Sequence, residues 1–285
     1  MTTQPVRTWQ LRRERWVLPQ GGAVMGILNV TPDSFSDGGS YMSPAEAVRH
    51  AGLMLEEGAD IIDVGGESTR PGAAPVSTKE ETARVVPVVE AIRAQFGPVR
   101  ISIDTRHASV ARSALEAGAD IVNDVEGLRS EGMAEVCAEF GCGVIVMHMQ
   151  GEPGTMQQAP FYTDVVAEVR AFFEERLESL VAAGIDPACL CWDPGIGFGK
   201  TVEHNLSLIA HLESLRVAGL PLMMALSRKR FLAAVLEDVA AGREAGATVA
   251  MSLYARRCGA DLHRLHEVRP LKRALALWNA ADRAV

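Results

Sequence analysis

A short apolar stretch followed by a helical stretch recurs eight times along this chain, and that alternation constrains the fold more than any other feature. The apolar stretches are VMGILNV (24–30), DIIDVGG (60–66), RISIDT (100–105), DIVNDV (120–125), GVIVMHM (143–149), CLCWDPG (189–195), LMMALSR (222–228) and DLHRLHEV (261–268). Their length and near-continuous apolar character fit strands buried on both faces, as in a parallel sheet. Between them, SPAEAVRHAGLMLEEG offers Ser43 as a cap, Pro44 at the first helical position and Gly58 as the stop. HASVARSALEAG stops in the same way at Gly118, and the amphipathic run 164–184 stops at Gly184. Pro87 lies inside the helical pattern 78–96, where the missing N–H predicts a kink or a break. Eight strand–helix units in roughly 250 residues predict an α/β fold of the (β/α)8 TIM-barrel type, with an open doubly wound sheet as the alternative.

No composition break or linker divides the 285 residues, so a single domain over 1–285 is expected. Residues 1–20 precede the first strand and are expected to cover the bottom of the barrel, with Arg7, Arg12, Arg13 and Arg15 on a solvated face. A net charge of −8 argues against nucleic acid as a partner, because such a domain carries a basic surplus. No apolar run reaches membrane-spanning length, and no apolar segment with a cleavage site follows the first arginines. A cytoplasmic protein is therefore expected. Cys137, Cys142, Cys189, Cys191 and Cys258 form no CxxC pair, so they read as buried reduced thiols rather than metal ligands. Cys189 and Cys191 are expected to share one face of a strand.

In a (β/α)8 barrel, chemistry sits at the C-terminal ends of the strands. Here strand after strand ends in a polar residue: Asn29, Asp63, Asp104, Asn123, His148, Asp193, Ser227 with Lys229, and Arg264 with His266. One such residue is ordinarily a helix cap or a turn former. Eight together, beside DVGGESTRPG, DPGIGFGK and SRK, indicate a convergent polar site. Asp104, Asn123, Asp193 and Lys229 combine acceptors and donors that suit a flat heterocycle such as a pterin or purine. Arg70, Arg264 and His266 form a cationic group suited to phosphate or pyrophosphate, unless they spend their charge on rim pairs with Glu67 or Glu267. GIGFGKT imitates a phosphate-binding loop, but that motif needs glycine where Pro194 stands. Gly195, Gly197 and Gly199 instead predict a tight turn. His148 fits the core and the site wall equally; His50, His107, His204, His211 and His263 show no ligand spacing and read as surface or packing residues.

At these residues the chain resembles the dihydropteroate synthases. The resemblance rests on MGILNVTPDSFSDGG (25–39), DVGGESTRPGA (63–73), ISIDT (101–105), ADIVND (119–124), MHMQGEPGTMQ (147–157), DPGIGFGKT (193–201), SRK (227–229) and RLHEV (264–268). That family is a (β/α)8 barrel with closing loops, which joins a dihydropterin to p-aminobenzoate in folate biosynthesis and releases pyrophosphate. The resemblance implies a sulfonamide target, small-molecule substrates, Mg²⁺ as cofactor and a homodimer. It implies that Asp63, Asp104, Asn123, Asp193, Lys229 and Arg264 bind the pterin, with Asp63 also supporting the site. Asn29 would hold Mg²⁺ with the pyrophosphate, which Arg70, Arg264 and His266 would grip. Phe35, Thr69, Pro71 and Lys229 would form the p-aminobenzoate pocket, and Asn29, Asp104, Lys229, Arg264 and His266 would carry catalysis. Loops 30–40 and 66–77 would close over it.

Three residues depart from the family pattern. Glu267 stands where aspartate is usual, Arg230 follows SRK where a small residue is common, and Ala225 replaces a glycine. Two other readings share the pterin residues. A pterin-binding methyltransferase has no use for the loop cations, and a non-catalytic paralogue would first lose lid or Mg²⁺ residues.

Overall fold

The computed structural model of this chain describes residues 6–31, 43–67, 76–151 and 155–284. Two short strands open it, β1 (Thr8–Gln10) and β2 (Arg15–Val17), paired antiparallel. Eight parallel strands follow: β3 (Ala23–Asn29), β4 (Ile61–Gly65), β5 (Arg100–Asp104), β6 (Ile121–Asp124), β7 (Gly143–Met147), β8 (Leu190–Asp193), β9 (Met223–Met224) and β10 (Leu262–Leu265). Their order is β8-β7-β6-β5-β4-β3-β10-β9, and a parallel bridge from Trp192 to Leu222 brings the two ends together. The sheet is thus a nearly closed (β/α)8 barrel, as the alternation predicts, and not an open sheet.

Helices α1 (Pro44–Glu56), α2 (Thr78–Phe96), α3 (Ala108–Ala117), α4 (Met133–Phe140), α5 (Val165–Ala182), α6 (Val202–Ala210), α7 (Arg230–Leu236), α8 (Ala245–Arg257) and α9 (Val268–Asp282) form the outer layer. Ser43 caps α1 in a reciprocal box with Glu46, and Pro44 is its first residue. Gly118 ends α3 in the left-handed region, as a helix stop requires. The break expected at Pro87 does not occur: α2 runs through it for 19 residues. One lost backbone bond is outweighed there by burial of Val85, Val88, Val89 and Ile92 against the sheet. No described helix is long and apolar enough to cross a membrane.

Strand alternation sorts the interior of the barrel into layers. Ala23, Met25, Ile61, Ile121, Ile145, Cys191, Met223 and Leu262 form an apolar lower cluster, closed by Trp9, Leu11, Trp16 and Leu18 from the β1–β2 hairpin. The hairpin is tied down by the Trp9 indole N–H, which donates to the Cys189 carbonyl at 2.7 Å, and by Arg100 lying 4.1 Å from the Trp16 ring centre. Two of the four N-terminal arginines, Arg7 and Arg12, are half-buried rather than on a solvated face, whereas Arg13 and Arg15 are exposed as expected. Arg12 donates to the Leu115 carbonyl and covers the Phe140 ring, Arg13 reaches Asp120 at 3.5 Å, and Arg7 lies 3.7 Å from Glu213. Cys189 and Cys191 also part company. Cys189 sits in a helical turn before β8 and packs with the outer core, whereas Cys191 points into the barrel. All five cysteines are free thiols.

Candidate active site

On five strands, two residues beyond an interior position the same strand face carries a polar or charged one. Ile61 leads to Asp63, Ser102 to Asp104, Ile121 to Asn123, Cys191 to Asp193 and Leu262 to Arg264. A period of two therefore delivers these groups to the barrel mouth on rigid elements. Asn29, the last residue of β3, completes the ring; its Oδ1 and the Asp104 Oδ2 lie 3.4 and 3.8 Å from where a Gly65 Cβ would stand. The missing side chain at Gly65 leaves that space to the two oxygens.

Arg264 is the hub. Its Nε donates to Asp63 Oδ2 at 2.6 Å and its Nη2 to Asp104 Oδ2 at 2.5 Å. The Arg264 side chain is 17% exposed, and the Asp63 side chain is wholly buried. Arg264 is thus no rim residue; Glu67 and Glu267 pair instead with Arg106 and Arg228. Asn123 donates to the same Asp63 oxygen at 3.3 Å, while Asp63 Oδ1 is buried without a partner. Such an atom calls for a donor from elsewhere. Burial pushes the Asp104 carboxyl up to about 7 against the pull of Arg264. Burial also raises Asp193, whose Oδ1 accepts the Gly195 N–H at 2.8 Å.

Across the mouth, the turn after β8 presses on the end of β7. Gly195, Gly197 and Gly199 all have positive φ, so the tight turn read from the sequence is present. A Cβ on Gly195 would lie 1.9 Å from the His148 carbonyl, which excludes any side chain there. Within this turn the Phe198 ring faces the Lys229 ammonium at 4.3 Å from its centre. Lys229 caps α7, and burial lowers its amine to about 8, opposed by Asp193. His148 is buried behind the turn, where burial and the Lys200 ammonium hold it down to about 2. Among the β9 and β10 ends, Ser227 Oγ lies 3.0 Å from His266 Nδ1, and Arg228 takes Glu267 at 2.8 Å. Arg230, on the first turn of α7, is exposed. Phe35, Thr69, Arg70 and Pro71 lie outside the described residues.

Some residues of this region carry no signal in the sequence. Arg106 donates to both oxygens of Glu67, at 3.0 and 3.2 Å, and to Glu126 at 3.1 Å. It thereby joins the residues just past β4, β5 and β6. His107, read as a surface or packing residue, makes a 2.7 Å contact with the buried Glu81. Ligand atoms of Glu67, Glu81 and His107 lie within 4.8 Å of one another, a grouping that could hold a cation. Arg106 already occupies Glu67, however, so that charge is compensated within the protein. Arg106→Met is expected to cost about 1–2 kcal/mol of stability through the buried Glu67, measured as a lower urea midpoint. An unchanged midpoint would show that the Glu67–Arg106–Glu126 group contributes nothing.

Comparison with known proteins agrees with this geometry. The family model described as pterin binding enzyme matches residues 25–266. The dihydropteroate synthase of Escherichia coli (strain K12) is 48% identical over 257 residues, covering 90% of each chain. A Yersinia pestis dihydropteroate synthase solved in a sulfonamide drug complex superposes with a TM-score of 0.90 at 43% identity, covering 98% of this chain and 100% of that one. The Burkholderia cenocepacia enzyme, solved with 7,8-dihydropteroate, superposes with a TM-score of 0.87 at 41% identity, covering 98% of both chains. In sequence and in fold the chain belongs to the pterin-binding enzyme family, and its activity is that of the family's dihydropteroate synthases.

Proposed function

We propose that this chain joins 6-hydroxymethyl-7,8-dihydropterin, carried as its pyrophosphate ester, to p-aminobenzoate. The carbon–oxygen bond to pyrophosphate breaks, the arylamine nitrogen bonds to that carbon and loses a proton, and 7,8-dihydropteroate and pyrophosphate leave. The observation that carries this reading is the ring of Asp63, Asp104, Asn123 and Asp193 around Arg264 at the barrel mouth.

Each residue has a task in that reaction. Asp104, Asn123 and Asp193 take the amino-pyrimidine edge of the pterin, and Lys229 donates to it. Arg264, held flat between two carboxylates, offers its face to the pterin and its charge to the leaving group. Asp63 keeps that guanidinium in place. Arg70 and His266 grip the pyrophosphate with Arg264, and Phe35, Thr69, Pro71 and Lys229 shape the p-aminobenzoate pocket. The nucleophile is the substrate's own amine, so the protein needs no serine or cysteine triad. Its work is to stabilise charge building on the leaving pyrophosphate while the pterin spreads the positive charge left on its methylene, a dissociative displacement.

Mg²⁺ fits this donor set. Asn29 Oδ1 is a hard, neutral oxygen that borders the same Gly65 gap as the Asp104 carboxylate, and Mg²⁺ is commonly bound through one or two carboxylates together with substrate phosphates. Asn29 would hold the ion, which would act as a Lewis acid toward pyrophosphate when bound. The resemblance further supports a cytoplasmic homodimer, the latter checked by light scattering of the purified chain.

The deciding experiment is pyrophosphate release from the dihydropterin pyrophosphate with Mg²⁺, with and without p-aminobenzoate. Release that needs both substrates and yields dihydropteroate is the expected result. Pterin binding without release would move the assignment to a non-catalytic pterin-binding protein. In the same assay Arg70→Ala is expected to lower kcat about tenfold while the pterin Kd shifts by less than about threefold. Equal losses in both would place Arg70 in pterin binding instead.

A further inference from the structure

Lys200 has no task in the reaction as assigned above, yet it lies at the wall of the site. It is only 3% exposed, and an ammonium so buried needs acceptors. Its Nζ donates to the Phe198 carbonyl at 2.9 Å, while His148 offers Nδ1 at 3.0 Å and its carbonyl at 3.4 Å. Those acceptors come from two neighbouring strand ends, the turn after β8 and the residue just past β7. Lys200 therefore clips one to the other. The contact is close along its whole length: a Cβ on Gly199 would stand 2.5 Å from the Gln150 carbonyl, as one on Gly195 would strike His148.

Phe198 is where this clip meets the chemistry. Its carbonyl is held by Lys200, and its ring lies 4.3 Å from the Lys229 ammonium. Backbone and ring belong to one residue, so a displaced carbonyl displaces the surface on which Lys229 rests. Gly197, one residue earlier, has its Cβ position 3.3 Å from Lys229 Cδ, so the turn touches the Lys229 stem as well. We infer that Lys200 is a positioning residue for the synthase reaction: by holding Phe198 against His148, it sets the place of Lys229 toward both substrates. This inference rests on the function proposed above. Lys200 acts through Phe198 and touches neither substrate.

A lysine serving only the fold would lower the melting temperature and leave turnover per folded site unchanged. A positioning lysine couples its kinetic effect to Phe198. Steady-state kinetics and thermal melts of the full chain, comparing wild type, Lys200→Met, Lys200→Gln, Phe198→Ala and the Met/Ala double variant, separate the two. Lys200→Met is expected to lower kcat/KM for p-aminobenzoate about tenfold per folded site. Lys200→Gln, which keeps an N–H donor for the Phe198 carbonyl, is expected to stay within about threefold of wild type. The double variant should be no worse than Phe198→Ala alone, because both changes remove the same placement. An unchanged Met variant, or losses that multiply in the double variant, overturns the inference. If the Met variant does not fold, Phe198→Ala decides: Lys200 acts through this residue, so the variant is expected to lower kcat/KM for p-aminobenzoate about tenfold per folded site, and an unchanged value overturns the inference. A wild-type chain that forms no dihydropteroate overturns the proposed function and this inference together; an active wild type with an unaffected Met variant overturns the inference alone.

Discussion

Arg264→Met is expected to abolish most turnover and to destabilise the fold in a pH-dependent way. The guanidinium bonds Asp63 and Asp104 at 2.6 and 2.5 Å, and the two carboxylates have side-chain exposures of 0% and 10%. Removing one partner of a buried ion pair costs about 3–5 kcal/mol, because the other charge is left uncompensated. Asp63 has little in reserve: Asn123 at 3.3 Å reaches one oxygen, and the other already lacks a partner. Asp104 can escape by taking up a proton. Burial already pushes its carboxyl up to about 7, with Arg264 pulling the other way, so loss of Arg264 drives it higher still. A folded-state pKa raised above the unfolded value gives stability that is full below about 4 and is lost as pH rises through the folded value. The deficit of the variant against wild type is therefore smallest near pH 5 and grows above pH 7. Urea unfolding of both proteins at pH 5.5 and 8.5 tests this, and equal deficits at the two values would rule it out. The kcat should fall by roughly 10²–10³, the scale for losing one preorganised charge-stabilising group. Arg264→Lys is not expected to restore it, since a single ammonium cannot bridge two carboxylates in one plane.

The same residues show what the sequence makes legible. Barrel strands are buried on both faces, so each announces itself as an apolar run, and all eight are readable. The site follows from them because Asp63, Asp104, Asn123, Asp193 and Arg264 fall two residues past interior positions, on the same strand face. That relation needs only a period of two. The β1–β2 hairpin is not legible as strands. TWQ and RWV are three residues each, too short for any periodicity, and their pairing is stabilised by the barrel floor they cover. Arg7 and Arg12 mislead for the same reason, because Glu213 and Leu115 meet them only in the folded molecule.

Side-chain partners across neighbouring loops are equally hidden. Arg106 meets Glu67 and Glu126 at separations of 39 and 20 residues, set by the circumference of the barrel and by no motif. Lys200 is masked by the resemblance of GIGFGKT to a phosphate loop. Rejecting that motif leaves its lysine without a reason, and only the fold shows the reason to be Phe198 and His148. Counting in twos puts Cys189 and Cys191 on one face, which fails because β8 begins at Leu190 and Cys189 still belongs to a helical turn.

Asp104→Asn is expected to weaken pterin binding about 5- to 150-fold, equivalent to about 1–3 kcal/mol for a buried acceptor replaced by a mismatched amide. An amide keeps the size of the carboxylate but presents an N–H₂ where the ligand and Arg264 both present donors. One of the two bonds holding Arg264 flat is weakened at the same time, so kcat falls as well. The pH dependence identifies the cause. In the free wild-type site the Asp104 carboxyl is raised to about 7 by burial, in spite of Arg264, so below that pH it is increasingly protonated. A ligand that needs the ionised acceptor then binds more weakly, by up to about tenfold per pH unit below 7, and levels off above about 8. An amide at this position cannot titrate, so the variant should lose this part of the slope. What remains belongs to Asp193, also raised by burial, and to Lys229, lowered to about 8 by the same cause. Calorimetry with a pterin between pH 5.5 and 8.5, in two buffers of different ionisation enthalpy, reads both affinity and proton release. A slope in the variant as steep as in wild type would remove Asp104 from the pterin edge and leave Asp193 and Lys229 as the groups that titrate.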